Sequence, residues 1–171
     1  MLLLLFLFTF LIAIMLYLVN NSYHYLVIEN LEQAGEKYYL PVQEEEEFTI
    51  KYIHSVDLLP VYEIYSHHRG NIQLKETHFY NFGAGMGLLK DRGVYVEEGD
   101  LLKIIEINEQ VEPFVLRTGE VPNQILMHRG KNYMLAEHFG NDARLLLKTT
   151  ELSGIELFTK ALIPGEEIKT K

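Results

Sequence analysis

The residue types best suited to chemistry lie in one stretch of the chain, around His54 and Glu63. His54 titrates near neutral pH and shares the two-residue alternation of Ile50 and Tyr52. If these apolar residues face the core, His54 is partly buried and needs a hydrogen-bond partner. Glu63 can supply that partner, because the chain turns back just before Pro60. Such a pair suits a general base, a metal site or a structural tie, and we interpret it as a structural tie.

Ser55 is the nearest hydroxyl nucleophile, and it follows His54 directly. Adjacent strand residues point to opposite faces, so a catalytic pair between the two is not expected. The chain also has no G-x-S-x-G nucleophile elbow. We therefore predict that the protein is not an enzyme, with a hydrolase as the weaker alternative.

The chain has seven histidines, so metal binding is a separate question. His67 and His68 are consecutive and should diverge on a strand, and we interpret them as an exposed hairpin tip. A two-residue turn at 70–71 would place Glu63 opposite His78 as a cross-strand pair. The chain has no H-E-x-x-H motif and no compact carboxylate–histidine triad, so no metal ligand is predicted.

Two further motifs could bind ions. Glu44 to Glu47 are consecutive, and we favour a solvated loop over a cation-attracting patch because neighbouring carboxylates rarely converge on one ion. Gly83, Gly85 and Gly87 could form a nest of backbone N–H groups for a small anion. Neither a Gly-Lys-Ser/Thr sequence nor a dinucleotide fingerprint follows, so no cofactor is predicted. A tight turn or bulge is the preferred interpretation.

Period-two alternation rich in aromatic and β-branched residues predicts that β-strands position these groups. The predicted strands are 48–56, 61–67, 72–82, 93–97, 101–107, 114–117, 124–128, 132–136, 144–148 and 155–160. A helical turn is the alternative at 145–147 and near Leu152. Short strands at this spacing are typical of an antiparallel β-sandwich or a partly open barrel. We therefore predict an all-β domain.

The N-terminus is different, because the run from Leu2 to Val19 contains Thr9 as its one polar residue. As a helix it would be roughly 27 Å long, close to the thickness of a bilayer core. The segment after the run offers Ser22 but no small residue two positions earlier, as signal cleavage would require. We therefore predict an uncleaved transmembrane signal-anchor, with a cleaved signal peptide as the alternative. The predicted domains are this anchor at 1–20, a juxtamembrane segment at 21–37 and an extracytoplasmic β domain at 38–171.

Charge limits the partners and suggests an orientation. The net charge of −9 argues against nucleic acid. No Lys or Arg precedes Lys37, and Glu29 and Glu32 follow the apolar run, so the N-terminus is expected inside the cell. The C-terminal domain would then lie outside the cytoplasm, attached to membrane lipid through the apolar run.

Three motifs together resemble a known family. They are the Tyr-x-His-Ser-Val sequence that ends at Val56, the Pro-Val-x-Glu sequence that ends at Glu63, and the Phe-Gly-Ala-Gly sequence that ends at Gly85. They resemble an uncharacterised bacterial domain family of small β proteins, often encoded beside TAXI-type TRAP transporters. The similarity covers about 48–148. A Pro common after the glycine-rich turn is replaced here by Leu88 or its neighbours.

The resemblance implies little about activity, because the family has no established activity to carry over. We expect an accessory protein with no catalytic cycle. We expect it to assist or regulate a TAXI-type TRAP transporter by contacting a transporter subunit or its solute-binding protein. The alternative is a small-anion or divalent-cation binding domain. Its candidate binding or structural residues are His54, Ser55, Pro60, Glu63, Gly83 and Gly85.

Overall fold

A computed structural model describes residues 2–33, 35–82 and 86–161. The helices are α1 (Leu2–Asn20), a 3-10 helix (Met86–Arg92), α2 (Leu135–Phe139) and α3 (Gly154–Ala161). The strands are β1 (Ser22–Asn30), β2 (Lys37–Val42), β3 (Glu47–Ile53), β4 (Pro60–His68), β5 (Asn71–Phe79), β6 (Val94–Glu98), β7 (Leu101–Ile105), β8 (Glu109–Gln110), β9 (Phe114–Arg117), β10 (Ile125–His128), β11 (Lys131–Met134) and β12 (Arg144–Ser153).

The strands form two antiparallel sheets, which confirms the prediction of a mainly β protein. The smaller sheet has the order β2-β1-β12-β9. The larger sheet has the order β11-β10-β3-β4-β5-β7-β6, with β8 paired to β5. Alternating apolar residues from both sheets meet in one core, as expected for strands with one buried face. The arrangement is consistent with a sandwich. Residues buried in that core include Leu26, Ile28, Phe48, Ile50, Tyr65, Phe79, Ile104, Leu126, Leu145 and Leu147.

Several segments differ from the sequence prediction. The predicted juxtamembrane segment supplies β1, an inner strand of the smaller sheet with Leu26 and Ile28 fully buried. Residues 155–160, predicted as a strand, lie in the helix α3. Residues 135–136 begin the short helix α2 instead of continuing a strand. The alternative of a helical turn at 145–147 or near Leu152 is wrong. Residues 145–147 pair with both β1 and β9, and Leu152 pairs with Tyr23 of β1.

Helix α1 is joined to the β domain at its C-terminal end. Only Asn21 separates α1 from β1, and the Asn21 carbonyl accepts a hydrogen bond from Gly154 N–H at 3.0 Å. A Cβ at Gly154 would lie 2.8 Å from the Leu18 carbonyl oxygen, so only glycine fits this close approach. Large apolar side chains of α1 such as Phe6 and Phe8 are mostly exposed. Within the described part of the chain, no helix has the length and apolarity needed to cross a membrane.

The strand directions give the β domain two distinct ends. The helix end is the end from which α1 leaves. It carries the β2–β3 turn (residues 43–46), because Val42 at the end of β2 pairs with His24 near the start of β1. It also carries the β4–β5 turn (69–70), because β4 runs antiparallel to β3 and ends beside the start of β3. The loop end carries the β3–β4 loop (54–59) and the β9–β10 loop (118–124), which are joined by a hydrogen bond from Ile53 N–H to the Pro122 carbonyl. The length of β3 separates the two ends by roughly 20 Å.

Candidate functional site

The predicted site residues occupy two separate places. His54 directly follows β3 and closes the β3–β4 loop through backbone hydrogen bonds with Leu58 and Leu59, both 2.9 Å. Its Nδ1 lies 3.5 Å from Oδ2 of Asp57. Ser55 is exposed in this loop, and Pro60 begins β4. Gly83 and Gly85 lie outside the described residues.

The predicted hydrogen bond between His54 and Glu63 is wrong. Glu63 pairs in register with Ile50, four residues before His54 along β3. At about 3.3 Å per residue this places the two side chains roughly 13 Å apart. His54 therefore orders its own loop, and Glu63 belongs to the middle of the larger sheet.

Glu63 is the acidic member of a polar cluster on the core-facing side of the larger sheet. The Tyr65 hydroxyl donates a hydrogen bond to Oε2 of Glu63 at 2.6 Å, and the Tyr52 hydroxyl donates to Oε1 at 3.4 Å. The Tyr65 ring stacks between Phe48 and Phe114, with centroid distances of 5.4 and 5.2 Å. Because Phe114 belongs to the smaller sheet, the carboxyl is held where the two sheets meet.

A β-bulge brings Thr77 to this cluster. The β4–β5 turn consists of Arg69 and Gly70, both with positive φ, which suits a two-residue hairpin. The register then shifts beyond Tyr65, and Glu63 faces Thr77 instead of the predicted His78. The predicted pair is wrong for two reasons. The turn lies one residue earlier than expected, which alone would place Glu63 opposite Glu76, and the bulge then shifts the pairing by one residue to Thr77. Thr77 is 1% exposed, and its Oγ1 has no hydrogen-bond partner among the described residues.

The surroundings of Glu63 change its acidity. Burial raises the pKa of Glu63, while the tyrosine hydrogen bonds and the charge of Arg92 act in the opposite direction. Burial, together with the nearby Glu63 carboxylate, also raises the pKa values of Tyr52 and Tyr65. The phenols therefore remain neutral donors at physiological pH. Chemically, the cluster can hold a proton or accept hydrogen bonds in an apolar setting.

The structure also forms a second polar cluster, at the helix end, that the sequence analysis missed. The β2–β3 turn lies across the end of β4, with a hydrogen bond from Glu45 N–H to the His67 carbonyl at 2.7 Å. His67 is 0% exposed and its ring packs 4.6 Å from the ring of His24, so the prediction of an exposed tip is wrong for His67. His68 remains partly exposed and contacts both Glu44 and Glu45.

Glu46 fixes the same turn to the β10–β11 hairpin. Its carboxylate accepts two hydrogen bonds from the Arg129 guanidinium, at 2.6 and 2.7 Å, and one from Gln43 N–H at 2.8 Å. These contacts lower the pKa of Glu46 to about 2, with the Arg129 hydrogen bonds as the main cause. Burial lowers the pKa of His128, whose Nε2 lies 3.1 Å from Glu46. The glutamate block therefore has specific partners that sequence spacing could not identify.

Comparison with known proteins gives one match. A family model described as "Domain of unknown function (DUF1850)" matches residues 48–135, which run from β3 to the start of α2. Neither a curated protein nor a solved structure matches the chain. The matched region contains Glu63, Thr77 and the hairpins that contact the β2–β3 turn.

Proposed function

The chain belongs to the family described as Domain of unknown function (DUF1850), and we propose that it is a membrane-anchored extracytoplasmic accessory protein of a solute transporter. The transporter class follows from the family resemblance, which points to TAXI-type TRAP transporters. The accessory protein would assist or regulate uptake. It would do so by contacting a transporter subunit or its solute-binding protein.

The observation that carries this proposal is that the two ends of the β domain differ: α1 leaves from one end, and exposed apolar loop residues lie at the other. Helix α1 leaves from one end, where the close contact of Gly154 with Leu18 joins the helix to the domain. Its mostly exposed side chains include Leu3, Phe6 and Phe10, which an aqueous setting would disfavour. Insertion of α1 into a bilayer would bury this surface and hold the domain at a fixed height.

The loop end offers a contact surface on the opposite side. Val56 and Leu58 of the β3–β4 loop are 69% and 65% exposed, and Val121 of the neighbouring loop is 53% exposed. His54 and Asp57 order the loop that carries the first two residues. An apolar patch of this kind supports a role in protein binding. A domain anchored by α1 would present the patch to a soluble binding protein or to the outer face of the transporter.

The predicted ligand-binding alternative has less support. It relies on His54 and Glu63 acting together with the turn at 83–85. His54 and Glu63 lie apart, and Glu63 already accepts hydrogen bonds from two tyrosines. The described geometry therefore favours a partner-binding role over a ligand site built from these residues.

Photo-crosslinking from the loop end tests the proposal. A photoreactive amino acid in place of Leu58 in the full-length chain should form a covalent product with a transporter subunit or its binding protein, identified by mass spectrometry. The same amino acid in place of Val94 is the matched control, because Val94 is 48% exposed but lies on the outermost strand β6. A product with neither candidate partner, or equal products from both positions, would contradict the proposed contact surface.

A further inference from the structure

Apolar side chains lie on the outward-facing side of the larger sheet, away from the core. The strand registers place every second residue on this side, which we call the outer face. Its apolar residues include Ile125, Met127, Tyr62, Ile64, Leu101 and Ile105, all of them partly exposed. We propose that the outer face binds the outer face of a second copy of the chain. This inference goes beyond the proposed role in transport and does not depend on it.

The composition of the outer face is unusual for a surface in contact with water. A sheet with one solvated face normally alternates apolar core residues with polar surface residues. In β10, however, the buried Leu126 is flanked by Ile125 and Met127, and in β4 Ile64 faces outwards beside the core-facing Tyr65. Helices α1 and α3 contact β12 of the smaller sheet, and the 3-10 helix contacts β6 and β7 near one edge of the larger sheet. In the described part of the chain, the middle of the outer face is therefore apolar and still partly exposed.

The outer face is large enough for a specific contact between two chains. The path of the larger sheet runs through seven strands, β11-β10-β3-β4-β5-β7-β6. At about 4.8 Å between strands and about 3.3 Å per residue, the face measures roughly 30 Å by 17 Å, or roughly 500 Å². Two copies would together bury roughly 1,000 Å², which is about the minimum for a specific protein interface. An exposed apolar surface of this extent is typical of an interaction site.

Two charged residues near the centre of the outer face favour a second copy as the partner. Nζ of Lys51 on β3 lies 5.5 Å from the centre of the Tyr62 ring, and among the described residues no carboxylate forms an ion pair with Lys51. Glu76 on β5 is 37% exposed, and its Oε2 lies 2.7 Å from Nε2 of His78. Lys51 and Glu76 are two strands apart, roughly 10 Å, and do not meet within one chain. A second copy that brings its β5 over β3 would pair this cation with a carboxylate.

A two-fold axis parallel to β4 produces that pairing. Strand β4 is the middle of the seven-strand path, so this axis places β3 of each copy over β5 of the other. Lys51 pairs with Tyr62 and Glu76 pairs with Ile64, so the two charges lie only one outward-facing position apart along the strands. Their long side chains can meet across the roughly 10 Å between packed sheets. An axis at right angles to the strands would instead set β3 against β3, with like charges together.

The same axis gives both copies one orientation. The strands of the two copies run in the same direction, so both helix ends lie on one side of the dimer. Two chains anchored by α1 in one membrane require this arrangement. This last point relies on the proposed anchoring, whereas the interface itself follows from the apolar face and its charges.

Cysteine crosslinking at the centre of the outer face tests the proposal. The chain has no cysteine, so Ile64→Cys creates a single thiol close to the proposed axis. A short, membrane-permeant bismaleimide added to cells that express the full-length chain should give a product with the mass of two chains. Val115→Cys is the matched control, because Val115 is 50% exposed but lies on β9 of the smaller sheet. It should give at least tenfold less of this product.

Charge reversal in the Ile64→Cys background separates a specific interface from a general loss of folding. Lys51→Glu should reduce the two-chain product at least fivefold, because it places two carboxylates together at each end of the contact. Lys51→Glu combined with Glu76→Lys should restore the product, since the charges pair again. The proposal would be overturned by absence of the two-chain product from Ile64→Cys, by equal amounts from Val115→Cys, or by a product with a different protein. A double variant that crosslinks no better than Lys51→Glu would also overturn it.

Discussion

Replacement of Glu112 by alanine is expected to lower the free energy of unfolding by about 2–4 kcal/mol, because two backbone donors would lose a charged acceptor. Glu112 bridges the two sheets. Its Oε2 accepts a hydrogen bond from Ile72 N–H in β5 at 2.7 Å, and its Oε1 accepts one from Thr149 N–H in β12. The Thr149 hydroxyl also lies 2.7 Å from Oε2 of Glu112.

The measurement is urea unfolding of the full-length chain in detergent, followed by tyrosine fluorescence because the chain has no tryptophan. Glu109→Ala is the control, since Glu109 lies three residues away and pairs with Arg92 on the surface. Exposed ion pairs contribute little, so this variant should lose less than about 1 kcal/mol. Equal losses in the two variants would show that Glu112 does not hold the sheets together.

Removal of the Tyr65 hydroxyl is expected to have the second large effect. In Tyr65→Phe the carboxyl of Glu63 loses its closest donor, which should cost about 1–3 kcal/mol because a buried polar group is left poorly satisfied. The aromatic stack with Phe48 and Phe114 should remain, since the ring is unchanged. Tyr62→Phe is the matched control, because Tyr62 lies next to Glu63 on β4 and faces the opposite side of the sheet.

The stability contributed by Glu63 should also depend on pH in a defined direction. Burial raises the pKa of Glu63 above its unfolded value of 4.5, so the native state holds the proton more tightly. The contribution of Glu63 is therefore fully present below the unfolded pKa and decreases as the pH rises through the folded pKa. Glu63→Gln should remove this decrease. The outcome that contradicts this account is an identical dependence of unfolding free energy on pH in the parent chain and in Glu63→Gln.

Alternation predicted most of the larger sheet, because its strands bury one face. Strand β4 is one residue longer at each end than predicted, and β10 begins one residue later. In the smaller sheet, the segment 114–117 was predicted with the bounds of β9. Strand β1 was missed because Leu26, Val27 and Ile28 are all buried, so the strand has no alternation. An amphipathic pattern cannot reveal a strand that is covered on both faces.

The candidate sites were less predictable because they depend on register and on contacts between distant segments. The position of the β4–β5 turn and one bulge decide whether Glu63 faces His78 or Thr77. The cluster at the helix end joins residues 44–46 to histidines more than 20 positions later. The glutamate block and the consecutive histidines were both visible in the sequence, but nothing local indicated that a turn would bring them together.

Accessibility of a cysteine at the loop end is the most direct test of the claim that α1 holds the β domain outside the cytoplasm. The chain has no cysteine, so Leu58→Cys creates a single labelling site at an exposed position. A membrane-impermeant maleimide should label this variant in intact spheroplasts, and the protein should stay with the membrane during carbonate extraction. Leu3→Cys lies at the N-terminal end of α1, away from the β domain, and should be labelled only after permeabilisation. Labelling of Leu58→Cys only after permeabilisation, or release of the chain by carbonate, would contradict the account.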